Sequence, residues 1–327
     1  MNSDSKVLKS PRYADHLEEV IEASGGLILD AFGVFWAGGD LGFYSGSLEV
    51  FERLKAKNIP VIILSNSTQL SSKASQKYEQ AGLRKDLYLE IITSGQIAHE
   101  LFKNETLLES WGLKSVRKRY FVYQSSHPVY GRPHLEIFKG TGFEEVDQLS
   151  EADFIYVGIP HIEGIDQTDS KVFEEEVRRL FQSAKPMVVA NPDRFVKEGK
   201  GPSVVRQGEI GRLYENFGGT VLYIGKPSPR VFEIAIEKLK IKGIDKDHVW
   251  MVGDNPETDI AGAQHAGIKS MLITQTGMAH ELFEHQKQQD TSLSFKQFIS
   301  SFSLKKQPTC FIQRFAPLDK NRSKENP

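Results

Sequence analysis

Four apolar runs, each stopping at a polar or charged residue, constrain this chain more than any other feature. Leu27-Ile28-Leu29 ends at Asp30, and Val61-Ile62-Ile63-Leu64 ends at Ser65. Val221-Leu222-Tyr223-Ile224 ends at Gly225-Lys226, and the run from His248 to Val252 ends at Gly253-Asp254. Continuous apolar runs of this length are strands covered on both faces, as in a parallel sheet. Amphipathic segments alternate with them. Ser47 to Lys57 turns Leu48, Phe51 and Leu54 to one side, and Ser71 to Ala81 stops at Gly82. Arg230 to Leu239 and Asp259 to Ala266 are further helices, and Ser270 to Thr274 is a further strand. The alternation predicts an α/β fold with a Rossmann-like, doubly wound parallel core sheet. Tyr13, Leu17, Val20 and Ile21 fall at helical spacing and predict an opening helix over Tyr13 to Ala23.

A stretch between the two halves has strands and helices of its own: Tyr120 to Tyr123, His134 to Lys139, Phe154 to Val157 and Lys171 to Phe181. It reads as an inserted α/β cap domain, which suits the two domains that 327 residues suggest. The expected division is core over residues 1–94 and 188–302, cap over 95–187 and a basic tail over 303–327. The apolar run Met187-Val188-Val189-Ala190 is expected to return the chain to the parent sheet. From Ser303 onward six basic residues face two acidic ones, which reads as a solvated terminus rather than a binding patch.

Charge and cysteine usage exclude several classes. Lys and Arg number 41 against 43 Asp and Glu, so the basic excess of a nucleic-acid-binding face is missing. No apolar run approaches the roughly 18 residues of a membrane helix. Met1 to Asp15 lacks the apolar centre of a signal peptide. The single Cys310 excludes an internal disulfide and suits a reducing, cytoplasmic compartment. No Cys/His spacing suggests zinc, and Gly38-Gly39 reads as a turn rather than a phosphate cradle.

In open parallel sheets ligands bind beyond the C-terminal ends of the strands. Asp30, Ser65, Lys226 and Asp254 all stand there. One such residue is an ordinary turn former. Four on one edge, of types able to attack, orient, neutralise and bind metal, point to a catalytic site. The aromatic and histidine side chains of the insertion (Tyr123, His127, Tyr130, His134, His161) read as core or surface.

These motifs resemble those of the haloacid dehalogenase superfamily of hydrolases. The first appears as Asp30-Ala31-Phe32-Gly33-Val34, the second as Ser65-Asn66, the third as Gly225-Lys226-Pro227, and the fourth as Gly253-Asp254 through Asp259. The insertion between the second and third resembles the α/β cap of class IIA members, the nitrophenylphosphatase-like and sugar- or nucleotide-phosphate phosphatases. Asn191-Pro192-Asp193 and Gly225-Lys226-Pro227-Ser228-Pro229 resemble that class as well. The resemblance implies a magnesium-dependent phosphohydrolase acting on a small phosphorylated metabolite. Asp30 is then the nucleophile that forms an aspartyl-phosphate, and Asp30, the Phe32 carbonyl and Asp254 hold Mg²⁺. Asp259 holds Asp254, Lys226 or a metal-bound water from behind. Lys226 balances the charge, and Ser65, Asn66 and the backbone of Ala31 and Phe32 bind phosphoryl oxygens. Asn191 and Asp193 are candidates for substrate contact, and the cap is a candidate surface for a homodimer.

Phe32 departs from the pattern. Phosphatases of this superfamily place a second Asp there, which protonates the leaving alcohol and later activates water. The substitution resembles a subfamily with an aromatic at that place. General acid–base catalysis contributes about 10²–10⁴-fold, so Phe32 leaves two alternatives beside a slow phosphatase. One is an impaired phosphate-binding or regulatory protein. The other is carbon–halogen hydrolysis, since dehalogenases also carry an aromatic there. Against the latter, their helical cap lies between motifs one and two, a gap that here holds one helix.

Overall fold

The computed structural model describes residues 11–14, 17–197 and 201–317. Seven parallel strands form the main sheet, in the order Arg12–Tyr13, Cys310–Ile312, Lys269–Ile273, Val249–Gly253, Gly26–Leu29, Val61–Ser65, Glu90–Thr93. Alternate side chains of each strand serve opposite faces. Ile28, Ile62 and Met251 join one apolar cluster, while Leu27, Leu29, Ile63 and Val252 join another with Phe51 and Trp36. Burial on both faces is why these strands read as continuous apolar runs. Register places Leu29 opposite both Ile63 and Val252, so Asp30 and Gly253-Asp254 leave the sheet at one level and Ser65 just beyond.

A second, five-stranded parallel sheet runs Val221–Tyr223, Met187–Val189, Phe154–Val157, Arg119–Tyr123, Glu144–Glu145. This corrects the expected boundary at residue 187. Met187–Val189 does not return to the parent sheet but pairs with Phe154–Val157 on one side and Val221–Tyr223 on the other. A buried apolar strand looks the same whichever sheet receives it. The second sheet and the first share a core. Ile28, Ile62 and Met251 belong to the same cluster as Phe102, Tyr120, Phe138, Phe154 and Val188. The joint is aromatic: Phe102 stacks on Phe154 at 5.6 Å and Tyr120 on Phe138 at 3.7 Å.

The two ends of the chain give further corrections. The opening helix spans only Glu18–Ala23, because Tyr13 pairs with Phe311 in the edge strand. Residues 303–317 are not a solvated tail. Cys310–Ile312 is a buried strand of the main sheet, Lys306 pairs with Glu257, and Arg314 donates to Gln275. Lys320, Arg322 and Lys324 lie outside the described residues. No helix among the described residues is long and apolar enough to cross a membrane.

Candidate active site

The site is built from strand ends. The Asp30 N–H donates to Val252 at 2.9 Å, which prolongs the ladder by one residue and fixes the Asp30 backbone beside Gly253-Asp254. After Asp30 the chain turns at once, and the Ala31 carbonyl accepts from Val34, Phe35 and Trp36. That turn leaves the N–H and C=O of Phe32 without a partner among the described residues. Lys226 is buried, and its Nζ donates to Asp30 Oδ1 at 2.6 Å and Asp259 Oδ1 at 2.7 Å. Both oxygens of Asp259 are engaged, since its Oδ2 also accepts from the N–H groups of Asp254 and Asn255 at 3.1 and 3.0 Å. It therefore positions Lys226 and the Asp254 loop.

Asn66 acts through its side chain. Its Oδ1 accepts from the Lys226 N–H at 2.8 Å, while its Nδ2 donates to the Lys226 carbonyl at 3.1 Å and to Asp193 Oδ1 at 3.0 Å. It thus clamps the Lys226 peptide and ties it to the loop from the second sheet. Asn191 shapes that loop, its Oδ1 accepting from the Asp193 N–H at 3.0 Å. Asp254 is held by a loop with no motif to announce it: the Met278 N–H donates to Asp254 Oδ2 at 2.6 Å. Gly33 and Gly277 both have positive φ and close around this carboxylate. A Cβ would stand 2.3 Å from Asp254 Oδ2 at Gly33 and 1.9 Å at Gly277.

Four carboxyls (Asp30, Asp193, Asp254, Asp259) thus surround one ammonium. Burial alone would favour a neutral Lys226 amine, but Asp259, Asp30 and Asp193 outweigh it and hold the lysine protonated. The carboxyls carry the excess. Burial pushes Asp193 and Asp259 up to about 6 against the pull of Lys226. Asp30 is raised by burial, again opposed by Lys226. Asp254 is raised well above the ordinary range by burial, then by Asp30 and Asp259. A divalent cation would relieve this imbalance, and the donors fit one. Carboxylate oxygens of Asp30, Asp254 and Asp259 come within 4.8 Å of one another. With Asp259 committed elsewhere, the open oxygens are those of Asp30, Asp254 and the Phe32 carbonyl. An all-oxygen set suits magnesium.

A cleft of about 240 Å³ is lined by Asp30, Phe32, Tyr44, Asp193, Phe195 and Asp254 among others. Phe32 forms part of its wall, with the Lys77 ammonium 5.0 Å from the ring centre. Ser65 and Lys226 stand behind the lining, both buried. The cap residues Tyr123, His127 and His134 are engaged within the second domain by Glu176, Asp166 and Glu145. His161 accepts from Gly164, and Tyr130 stacks beside His127. The motif reading missed Tyr44 and the Gly277-Met278 loop. Gly277 itself is the one signal in the sequence for that loop.

Two family models match the chain, a haloacid dehalogenase-like hydrolase model over residues 27–129 and a HAD-hydrolase-like model over residues 223–293. Together they take in all four strand-end residues of the site. The chain belongs to the haloacid dehalogenase-like hydrolases. Its relatives within them include the rat phospholysine phosphohistidine inorganic pyrophosphate phosphatase, 26% identical over 80% of this chain and 86% of that one. The sugar-phosphatase AraL of Bacillus subtilis is 23% identical over 78% and 85%. Among solved structures, a haloacid dehalogenase-like hydrolase from Brucella suis superposes with a TM-score of 0.70 at 20% identity, covering 91% of this chain and 98% of its own. The glycerol phosphate phosphatase of Mycobacterium tuberculosis, in complex with magnesium, gives 0.60 at 16%, covering 90% and 76%. These two structures share the fold.

Proposed function

We propose that this hydrolase is a magnesium-dependent phosphatase of a small phosphorylated metabolite, working through an aspartyl-phosphate on Asp30. The observation that carries the reading is the carboxylate of Asp30, bonded to a buried lysine and facing a cleft beside Asp254. A phosphate monoester is anionic and repels a carboxylate. Lys226 offsets that repulsion as a fixed point charge. The Ser65 hydroxyl and the N–H of Phe32 would receive phosphoryl oxygens. Mg²⁺, held by Asp30, Asp254 and the Phe32 carbonyl, would supply charge neutralisation and orientation of the phosphoryl group. The relatives named as phosphatases support the same class.

Phe32 favours one other reading, a protein that binds phosphate compounds and turns them over poorly. A panel of phosphorylated metabolites and nitrophenyl phosphate, each with and without magnesium, separates the two. Magnesium-dependent phosphate release that disappears in Asp30→Asn supports the phosphatase. Saturable binding with no release under any condition contradicts it.

A further inference from the structure

A phosphatase acting on an alkyl ester must hand a proton to the departing alkoxide, and Phe32 has none to give. Besides Asp30 and Asp254, the titratable side chains lining the cleft among the described residues are Tyr44, Asp193, Lys197, His280 and Glu281. Lys197 and Glu281 are paired with each other. Burial and then Asp254 raise the Tyr44 phenol above its ordinary value, so it gives up a proton reluctantly. No hydrogen bond among the described residues orients His280.

Asp193 is different on each count. It is half-buried, lines the same cleft as Asp30, and is anchored at both backbone and side chain. Its N–H is held by Asn191, its carbonyl accepts from the Gly208 N–H at 3.1 Å, and its Oδ1 accepts from Asn66. The loop is fixed tightly enough that a Cβ on Gly208 would stand 2.0 Å from the Pro192 carbonyl oxygen. We propose that Asp193, carried into the cleft by the loop from the second domain, is the proton carrier that Phe32 cannot be.

The environment suits the role. Burial pushes Asp193 up to about 6, Asp259 adds to the rise, and Lys226, Asn66 and Thr258 oppose it. A group with that value near neutral pH can both give and take a proton. In the first half-reaction an Asp30 oxygen bonds to phosphorus, the ester P–O bond breaks, and the alkoxide takes the Asp193 proton. In the second, water bonds to phosphorus, returns a proton to Asp193, and the bond from Asp30 to phosphorus breaks. One water is consumed, alcohol and phosphate leave, and both carboxyls are restored. The proton thus comes from the cap side of the cleft, opposite in origin to the loop that carries Phe32.

The inference rests on the phosphatase reading, and its test separates the two. Full-length wild type and Asp193→Asn are compared with magnesium in rapid-quench assays on nitrophenyl phosphate and glycerol phosphate. Glycerol phosphate turnover should fall by about 10²–10⁴-fold in the variant. Nitrophenolate needs no proton, so its first release should persist as a burst of one equivalent per chain before turnover stalls for want of activated water. Phe32→Asp in the Asp193→Asn background should recover part of the glycerol phosphate turnover. Equal loss of burst and alkyl turnover in a folded variant would mean that Asp193 merely positions Asn66 and Lys226, and would overturn the inference alone. Wild type inactive on both substrates would overturn the phosphatase reading and the inference with it. A measurement on wild type alone guards against misfolding of the variant. Its ratio of alkyl turnover to the nitrophenolate burst should decline as pH rises through about 6 toward 8, and a flat ratio contradicts the proposal.

Discussion

The core sheet and the loop from the second domain meet at one cleft, but they bring different things to it. The core edge supplies Asp30, Asp254 and, one helical turn on, Asp259, and Lys226 joins them from just past Val221–Tyr223 of the second sheet, each held by backbone or by one another. The second domain supplies Asp193 and Phe195 from a loop whose place depends on an entire sheet and an aromatic joint with the core. The core edge can be read from local motifs because a strand ending at a charge is a local event. The cap contribution depends on how the two sheets are stacked, and no short motif encodes that.

The largest effect should come from breaking the shared joint. Excising residues 95–187 removes Phe102, Tyr120, Phe138 and Phe154 from a cluster that also holds Ile28, Ile62 and Met251. It also removes Met187 and the Phe154–Val157 strand, which leaves Val188-Val189 and Val221–Tyr223 without the rest of their sheet. Each large aromatic lost from a core costs about 3–5 kcal/mol, against a total domain stability of about 5–15 kcal/mol. The excised chain should fail to give a cooperative thermal transition. A soluble core with a sharp melt would show that the two regions are more independent than the shared cluster implies.

Next in size is the charge at the centre. Lys226→Met leaves Asp30 and Asp259 buried with no ammonium. Removing one partner of a buried pair costs about 3–5 kcal/mol, so urea unfolding should shift by that order at pH 7.5. The loss should shrink as pH falls toward about 6, because Asp259 without the Lys226 ammonium that lowers its pKa takes up its proton above that value. Its folded-state value is raised, so its destabilising charge is present above about 6 and gone below the unfolded value. A loss equal at pH 5 and pH 7.5 would remove the carboxylates from the account.

A smaller effect is expected at Phe32. Phe32→Asp places a carboxyl where the ring now lies, under the Lys77 ammonium. A nearby ammonium favours the charged carboxylate and makes it a weaker acid catalyst. The ratio of alkyl to nitrophenyl turnover should therefore rise by about tenfold or less, short of the full range for general acid catalysis. A rise of about 10³-fold or more would mean that no other group carries the proton in wild type.

The same contrast explains which features the amino-acid order displays. The strands at Leu27, Val61 and His248 and the helices after them are local, and they stand where periodicity puts them, whereas Lys226 is expected on the same sheet edge as Asp30 and instead follows Val221–Tyr223 of the second sheet. Tyr13 misleads because its partner, Phe311, lies at the far end of the chain. Strand pairing over that separation leaves no periodic trace nearby. Met187–Val189 misleads for a related reason, since burial on both faces reveals a strand but not its sheet. Asn66 is legible as a neighbour of Ser65, but its use as a clamp between Lys226 and Asp193 requires three distant segments to converge.

The account stands on covalent chemistry at one carboxylate, and that can be measured directly. Wild type is mixed with nitrophenyl phosphate and magnesium, quenched in acid within the first turnover, digested and mapped by mass spectrometry. The account predicts one phosphoryl group per chain at most, on the peptide that holds Asp30, and none in Asp30→Asn. Steady phosphate release with that peptide unmodified, or a phosphoryl group on any other residue, would contradict it.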